Sequence, residues 1–363
     1  MGEMMTDKKR ALIGERDRVV IYGAAMVAVS VYYAVKSLYT GCRIEAFLVS
    51  SRDGNPAEID GIPVKTLEEW EETDCRVLVA VPEEHHEVIT AALKERRMTD
   101  YVCIDAGTEA ALMEEYYRQK GIFSSLRSYE GHRDETFSLA VYMSCFHKDK
   151  KLKKRYYMPE WVRPIQAGAA LTDDRIADIC DNTGENISFK NKNYSELSAL
   201  YWVGKHGTAD YLGLYHYRRV LDVTEEDLGR IQANGIDAVL PFPTVHYPDI
   251  LEHHGRYLKE TDWEAMVRAL QELSPAYAEA LPEIFSGVYF YNYNMLIARR
   301  PVFQAYCDWL FPILARTEEL SDPKGSERAD RYIGYIGENL TTLYFLYHKS
   351  DLHIAHTGRR MLI

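Results

Sequence analysis

The sequence is poor in cysteine, with six in 363 residues, and no two of them form a C-x-x-C pair. Several of these cysteines lie inside apolar runs, where a free thiol behaves as a small hydrophobic side chain. The spacing therefore argues against a disulfide framework and favours a reducing compartment. No secretory signal is visible, so we expect a cytoplasmic protein, with the inner face of the membrane as an alternative location.

Positive charge is also scarce: 43 lysines and arginines stand against 55 acidic residues, giving a formal net charge of -12. Such a surface repels polyphosphates, so we expect no nucleic-acid partner. One short segment is an exception because it is rich in positive charge. We call it the basic cluster, and it comprises Lys148, Lys150, Lys151, Lys153, Lys154 and Arg155. It is interpreted either as a solvated loop or as a contact for a diphosphate or an anionic membrane surface.

Long apolar runs are few, and the one that needs interpretation is the uncharged stretch 19–35. It is slightly shorter than the roughly 20 residues of a membrane-spanning helix. It also contains Gly23 after a β-branched start. We interpret it as a strand, a turn and a buried helix.

The pattern of the first 120 residues alternates between strands and helices. The predicted strands are 18–22, 44–50, 76–81 and 101–104, and the predicted helices are 24–38 and 84–97. This alternation indicates an α/β fold in which a Rossmann-like parallel sheet occupies 1–120. We take 121–137 as a linker and 138–363 as a second α/β domain.

The first strand-to-helix turn only partly fits a dinucleotide fingerprint. Gly23 occupies the first glycine position, but Ala25 stands where a second glycine would let a pyrophosphate approach. The second strand ends without an acidic residue for the ribose. Gly23 and Ala25 are therefore candidate cofactor contacts, but the incomplete fingerprint gives little support for NAD binding. The domain resembles small Rossmann-like modules of bacterial surface-polysaccharide pathways, which bind a nucleotide or acyl carrier or serve in docking.

The segment 211–219 begins as a buried strand and ends in His216, Tyr217, Arg218 and Arg219. Period-two alternation predicts His216 and Arg218 on one face and the other two on the opposite face. Ligands of open α/β sheets bind at the carboxyl ends of strands. Arginine suits phosphate, and histidine suits proton or phosphate chemistry. We expect a ligand site here; the alternative is a solvated edge strand.

A polar loop at 181–193 offers a carboxylate, several amides and two lysines. Its candidate contacts for a nucleotide or sugar are Asp181, Asn182, Asn186, Lys190 and Asn191. An ordinary turn stabilised by side-chain-to-backbone bonds remains the alternative. A helix is predicted at 197–205, and either Asn193 caps it with Glu196 in a capping box, or Glu196 binds the ligand.

Two asparagines, Asn292 and Asn294, interrupt an aromatic strand predicted at 289–297. Alternation puts them on one face, where sugar hydroxyls would satisfy their amides; neighbouring backbone is the alternative. Glu338 is predicted at a helix start, and His253 lies in a histidine-containing loop. Asp181, His253 and Glu338 are equivalent candidates for a catalytic base.

These motifs together resemble a known family, the bacterial capsular and exopolysaccharide synthesis proteins long described as a domain of unknown function. The resemblance covers residue 139 to the C-terminus. It rests on DNTGENIS at 181–188, KNKNYSELSALYW at 190–202, YLGLYHYRR at 211–219 and YNYNM at 291–295, with GENL at 337–340.

The resemblance implies a GT-A-like glycosyltransferase domain, some members of the family being galactofuranosyltransferases. The implied donor is a nucleotide diphosphate sugar, with a UDP-sugar favoured, and the implied acceptor is a saccharide or lipid-linked oligosaccharide. A D-x-D metal motif is expected in that fold, but none occurs in the chain, so the need for a divalent metal stays open. The expectation is that His216, Arg218 and Arg219 hold the diphosphate.

Two other functions remain alternatives at this point. One is an NAD-dependent oxidoreductase or epimerase acting on sugars through the first domain, against which the incomplete fingerprint argues. The other is a carbohydrate-binding protein without catalytic activity.

Overall fold

The computed structural model describes residues 12–14, 18–131 and 137–362, and the side chains of His253 and Ser326 lie outside that description. The chain divides into two compact units. The first comprises the described residues up to Ile122 together with Thr244–Pro248, and the second comprises those of Phe123–Pro243 and Asp249–Ile363. Both units combine helices with largely parallel sheets, which confirms the predicted α/β class.

The first unit is built on one sheet with the strand order β3-β4-β2-β1-β5-β6. Its strands are β1 (Arg18–Tyr22), β2 (Arg43–Val49), β3 (Glu58–Ile59), β4 (Ile62–Thr66), β5 (Arg76–Val79) and β6 (Tyr101–Cys103). Its helices are α1 (Met26–Leu38), α2 (His86–Glu95) and α3 (Ala106–Lys120). Every neighbouring pair is parallel except β3 and β4, as the alternating pattern predicts.

The turn after β1 requires glycine. Gly23 has a φ of 124°, and a Cβ at this position would lie 2.6 Å from the carbonyl oxygen of Ala80. Helix α1 begins at Met26, with the exposed Ala25 just before it. Among the described residues, no helix combines the length and apolarity that a bilayer crossing requires.

The second unit contains a larger, nine-stranded sheet. The strands of this sheet are β7 (Leu139–Cys145), β8 (Val162–Gln166), β9 (Ile179–Cys180), β10 (Tyr211–His216), β11 (Arg219–Leu221), β12 (Ala238–Pro241), β15 (Leu296–Arg299), β16 (Ile354–Thr357) and β17 (Arg359–Met361). Strand β14 (Tyr289–Phe290) belongs to the second unit but not to this sheet, and β13 (Thr244–Val245) belongs to the first unit. The helices of the second unit are α4 (Asn191–Tyr194), α5 (Leu197–His206), α6 (Glu225–Ala233), α7 (Ile250–His254), α8 (Glu260–Leu273), α9 (Pro275–Phe285), α10 (Arg300–Leu320) and α11 (Tyr332–Tyr347).

The main path of this sheet runs β16-β12-β15-β10-β7-β8-β9. Strand β15 is antiparallel to both its neighbours, and the other pairs on the path are parallel. Leu212 and Leu214 of β10 join the core on one face, whereas Tyr211 and Tyr215 join the core on the other. This alternation follows from the pleat of a strand that is buried on both faces.

Part of the segment predicted as a linker packs into the second unit. Leu126 is fully buried in one of its cores, and Ser125 forms a parallel bridge with His356 of β16. An apolar residue in a polar segment therefore supplies an anchor that composition alone does not reveal. Residues 132–136 lie outside the described residues.

The prediction that Asp181 is a ligand or a catalytic base needs correction. Asp181 is fully buried, and its carboxylate accepts hydrogen bonds from the backbone N–H groups of Gly168 (2.9 Å) and Ala169 (3.0 Å). The hydroxyls of Ser188 and Ser198 also donate to it. Its oxygens therefore hold the loop after β8 against α5, which is a structural role.

We expect Asp181→Ala to lower the free energy of unfolding by roughly 3–5 kcal/mol, because buried donors would lose their acceptor. Denaturant titration followed by circular dichroism measures this loss. The matched control is Asp178→Ala, which removes an exposed carboxylate three residues away and should change stability by less than about 0.5 kcal/mol. Equal stability of both variants would contradict the structural role of Asp181.

Candidate active site

A cavity of about 610 Å³ lies in the second unit. It opens at the carboxyl ends of the parallel strands β7 and β10, where Ser144 and His216 are paired neighbours and both line the cavity. Ligands of α/β sheets bind at such strand ends because the loops that follow the strands are free to vary there. This position makes the cavity the candidate active site.

The cluster at the end of β10 lines this cavity, but not by the predicted geometry. The strand ends at His216, Tyr217 and Arg218 form a turn, and Arg219 opens the antiparallel β11 opposite His216. Alternation across 216–219 is therefore wrong, because the chain reverses direction there. The reversal nevertheless brings all four side chains to the same cavity.

Four cationic side chains line the cavity: Arg218, Arg219, Arg331 and Lys192. The guanidinium carbon of Arg219 lies 4.5 Å from the centre of the Tyr293 ring, so a cation–π contact orients it. Guanidinium groups present a fork of N–H donors that matches phosphate oxygens. Lys192 is the second lysine of the polar loop but was not among its named contacts, and Arg331 was not predicted.

Glu196 is a buried acid that connects several of these groups. Its Oε1 accepts a hydrogen bond of 2.8 Å from the amide of Asn294 and lies 3.7 Å from Nε2 of His216. Its Oε2 lies 3.7 Å from Arg331. The predicted capping box is wrong: neither side chain caps α5, since Asn193 donates instead to two backbone carbonyls in another segment.

Glu338 is the second acid of the cavity, and it lies inside α11 rather than at a helix start as predicted. Its Oε1 accepts a hydrogen bond of 2.8 Å from the backbone N–H of Tyr293. Burial and the nearby charge of Glu196 raise the pKa of Glu338 to about 8. A carboxyl group with such a pKa exchanges its proton near neutral pH, as a general base or acid does.

His216 lies at the end of β10 in a largely buried position, and its surroundings shift its pKa. Burial lowers its pKa, and this effect outweighs the raising influence of Glu196. A hydrogen bond to the backbone of Tyr293 engages the imidazole. The expectation that His216 helps to hold a diphosphate stays a prediction.

The segment around Asn292 and Asn294 is not a strand. Strand β14 ends at Phe290, β15 begins at Leu296, and Tyr293 and Asn294 have φ values of 76° and 49°. Alternation therefore does not apply, and neither asparagine lines the cavity.

Asn294 acts behind the cavity instead of on a sugar. It is fully buried, and its amide donates to Glu196 and to the carbonyl of Gly334. Its carbonyl oxygen accepts from the hydroxyl of Thr341. It thus fixes the position of Glu196, which corrects the prediction of a direct sugar contact.

The polar loop contributes less to the cavity than predicted. Asn182 and Asn186 do not line it, and Asn186 instead closes a local turn by bonding to Gly184 and Ser188. Lys190 pairs with Glu318 at 2.6 Å. The local bonds of Asn186 agree with the alternative interpretation of the loop as an ordinary turn.

Asn191 does line the cavity, but its amide is used by the protein. It donates to the carbonyl of Ser195 (2.7 Å) and to the hydroxyl of Ser198 (2.9 Å). Gly23 and Ala25 belong to the first unit, whereas every cavity residue belongs to the second. The side chain of His253 lies outside the described residues.

Several cavity residues escaped sequence reasoning. Asp149, Ser195 and Tyr293 line the cavity but were not predicted to do so. Asp149 lies between lysines of the basic cluster, and Tyr293 lies between the two asparagines that were predicted instead. Tyr335 precedes Glu338 by three residues. An i, i+3 search of the C-terminal helix would have found that pair.

No metal-binding set is evident in the part of the chain that the structure describes: no group of three or more His, Cys, Asp or Glu side chains is suitably arranged. In the cavity, Glu196 and Glu338 already accept hydrogen bonds from protein donors. No cation site is therefore assigned to the described residues of the cavity.

Comparison with known proteins identifies a family and a similar solved structure. Residues 141–349 match the family described as a domain of unknown function, DUF4422. A solved structure described as the apo form of the bifunctional glycosyltransferase WbbM is 28% identical, with a TM-score of 0.52. That match covers 62% of this chain and 45% of the other, so this chain spans less than half of that protein. No curated protein matches the chain. Since the family match extends over more than half of the residues, the chain belongs to the DUF4422 family.

Proposed function

We propose that this protein is a glycosyltransferase that moves a sugar from a nucleotide diphosphate donor to a saccharide acceptor. The observation that carries the proposal is the cavity itself, which combines cationic side chains with a carboxyl group whose pKa is about 8. Glycosyl transfer needs both, since a diphosphate departs while an acceptor hydroxyl loses its proton. The likeness to a bifunctional glycosyltransferase supports it.

Arg218, Arg219 and Arg331 are proposed to bind the diphosphate. As the bond between the anomeric carbon and the phosphate oxygen breaks, its electron pair goes to that oxygen, and the arginines stabilise the growing negative charge. His216 is proposed to lie against the same ligand, since it lines the cavity beside these arginines. No step in this scheme depends on a metal ion.

Glu338 is the proposed base in an inverting reaction. Its ionised carboxylate takes the proton of the acceptor hydroxyl while the acceptor oxygen bonds to the anomeric carbon. The N–H of Tyr293 keeps one carboxylate oxygen in place. Asp181 no longer competes for this role because its carboxylate is buried under four donors.

The finer assignments are part of the same proposal. The second unit is a GT-A-like domain, the donor is a UDP-sugar with galactofuranose as one candidate, and the pathway is capsule, exopolysaccharide or O-antigen synthesis in the cytoplasm. The first unit is a Rossmann-like module for docking or nucleotide binding. An NAD-dependent enzyme and a non-catalytic saccharide-binding protein are the alternatives. A panel of UDP-, GDP- and dTDP-sugars, assayed for released nucleotide and glycan product, distinguishes the three functions.

The basic cluster is proposed to contact an anionic membrane surface, where a lipid-linked acceptor would be found. All six of its side chains are exposed, and Phe146 and Asp149 of the same loop line the cavity. Each lysine or arginine near an anionic surface contributes about 1 kcal/mol of binding. The exposed Tyr157 follows the cluster and suits the headgroup region.

Replacing Arg218 with alanine should lower kcat/KM for transfer about 100-fold, because a charge-stabilising donor is lost. Steady-state assays with the donor found in the panel measure this change, and thermal unfolding should be nearly unaffected. Arg268→Ala, an exposed arginine on α8 outside the cavity, serves as the control. If Arg218→Ala turns over as fast as that control, Arg218 has no role in the site.

Replacing Glu338 with glutamine should lower transfer at least about 100-fold while keeping the acceptor oxygen for Tyr293. The wild-type rate should rise with pH up to about 8, as Glu338 loses its proton, and the residual rate of the variant should not. A pH profile of kcat/KM from 6 to 9 tests both statements. A wild-type profile that stays flat would remove Glu338 as the base.

The same substitution should stabilise the fold in a pH-dependent way. Because the folded pKa of Glu338 lies above the ordinary value of 4.5 for this residue type, its stabilising contribution is complete below about pH 4.5 and is lost as pH rises through about 8. Glutamine does not ionise, so the difference in Tm between Glu338→Gln and wild type should grow over this range. Glu283→Gln, at an exposed position on α9, should give no such trend.

Vesicle co-sedimentation tests the membrane contact. The wild-type protein should bind vesicles containing phosphatidylglycerol but not pure phosphatidylcholine, and less so at high salt. Glutamine at Lys150, Lys151, Lys153 and Lys154 should abolish binding. The control replaces four exposed lysines elsewhere, at positions 94, 120, 259 and 349. Equal binding by both variants would reduce the basic cluster to a solvated loop.

A further inference from the structure

Two tyrosines form an aromatic surface beside Glu338. The rings of Tyr257 and Tyr335 have centroids 5.3 Å apart and an interplanar angle of 32°. Tyr335 lines the cavity, and it lies three residues before Glu338 on α11, so both side chains share one face of that helix. Tyr257 is contributed by the loop between α7 and α8.

Tyr257 is exposed for 45% of its surface although it packs against another ring. An exposed aromatic surface beside a cavity indicates a contact for a ligand, whereas a single exposed side chain elsewhere on a surface does not. Burial raises the pKa of the Tyr257 hydroxyl, and the nearby Glu338 and Tyr293 raise it further. The ring is thus within electrostatic reach of the proposed base.

The aromatic surface has a different chemistry from the rest of the cavity. The arginines suit an anionic ligand, whereas two tyrosine rings offer apolar faces with hydroxyl groups at their edges. A sugar ring has the matching character, since one of its faces carries C–H groups and its edge carries hydroxyls. A neutral saccharide is therefore the ligand class that this surface fits.

We propose that Tyr257 and Tyr335 form the subsite for the acceptor saccharide, whose ring stacks on them so that one hydroxyl reaches Glu338. This inference rests on the proposed glycosyl transfer for its direction, but saccharide binding can be measured without turnover. It assigns the acceptor to the aromatic side of the cavity and leaves the arginines to the donor diphosphate.

Saturation-transfer NMR on the full chain tests the subsite with three probes: methyl β-D-galactopyranoside, methyl β-D-galactofuranoside and methyl α-D-mannopyranoside. At least one probe should bind the wild-type protein, and Tyr257→Ala should weaken it about tenfold. Tyr257→Phe keeps the ring and should retain binding. Phe189→Ala, which removes an aromatic ring that is 61% exposed and outside the cavity, is the control. UDP binding should be the same in all four proteins.

The outcomes separate this inference from the proposed function. If no probe binds, or if Tyr257→Ala binds as well as Tyr257→Phe, the aromatic subsite is wrong. If saccharide binding depends on the Tyr257 ring but no nucleotide sugar is consumed, the subsite holds and glycosyl transfer fails. If transfer occurs with the same acceptor KM in Tyr257→Ala and wild type, the transferase holds and the subsite fails.

Discussion

The burial of Glu338 beside a second carboxyl group, Glu196, is the constraint on which the site depends. Burial and, after it, the nearby charge of Glu196 raise the pKa of Glu338. Glu196 has the amide of Asn294 on one oxygen and Arg331 near the other. Glu338 has one backbone N–H as a donor. The surroundings thus give two chemically similar acids different partners, and Glu338 is the one whose raised pKa suits proton transfer.

Unusual backbone conformations hold this pair in place. Ser195 (φ 51°, ψ −129°), Tyr293 and Asn294 all adopt positive φ without being glycine, and such residues cost on the order of 1–3 kcal/mol each. Asn191 offsets the cost at Ser195 by bonding to its carbonyl, and Arg331 donates to its hydroxyl at 2.8 Å. The strained turns direct Glu196 and the N–H of Tyr293 toward the cavity.

The sequence was sufficient to predict the elements that depend on short-range pattern. Apolar runs that alternate with amphipathic ones predict the parallel sheet of the first unit, and the motif at 211–219 leads to the cavity although its geometry was misjudged. What pattern could not predict is where a chain reverses. Period two holds up to His216 and fails at the next residue, because a hairpin turn without glycine leaves no compositional signal.

Long-range pairing was equally hidden from sequence reasoning. Nothing local to Asn294 indicates that its amide meets Glu196, 98 positions away, and the two were assigned separate roles for that reason. Asp181 was predicted to be reactive because the sequence shows its charge but does not show that it is buried. A polar side chain can be assigned to chemistry only after the donors around it have been counted, and that count requires the fold.

The contacts of Tyr293 explain why arginine and acidic side chains coexist in the cavity without neutralising each other. Arg219 is held over the Tyr293 ring at 4.5 Å, and Arg359 approaches the same ring at 5.4 Å. Tyr293 therefore orients guanidinium groups with its ring and a carboxyl group with its backbone N–H. An aromatic face attracts a cation without quenching its charge, so Arg219 keeps its N–H donors for an incoming anion. Tyr293, a residue at positive φ, thus keeps the guanidinium groups and the carboxyl group apart. The proposed reaction needs this separation, because one cavity must both bind a diphosphate and accept a proton.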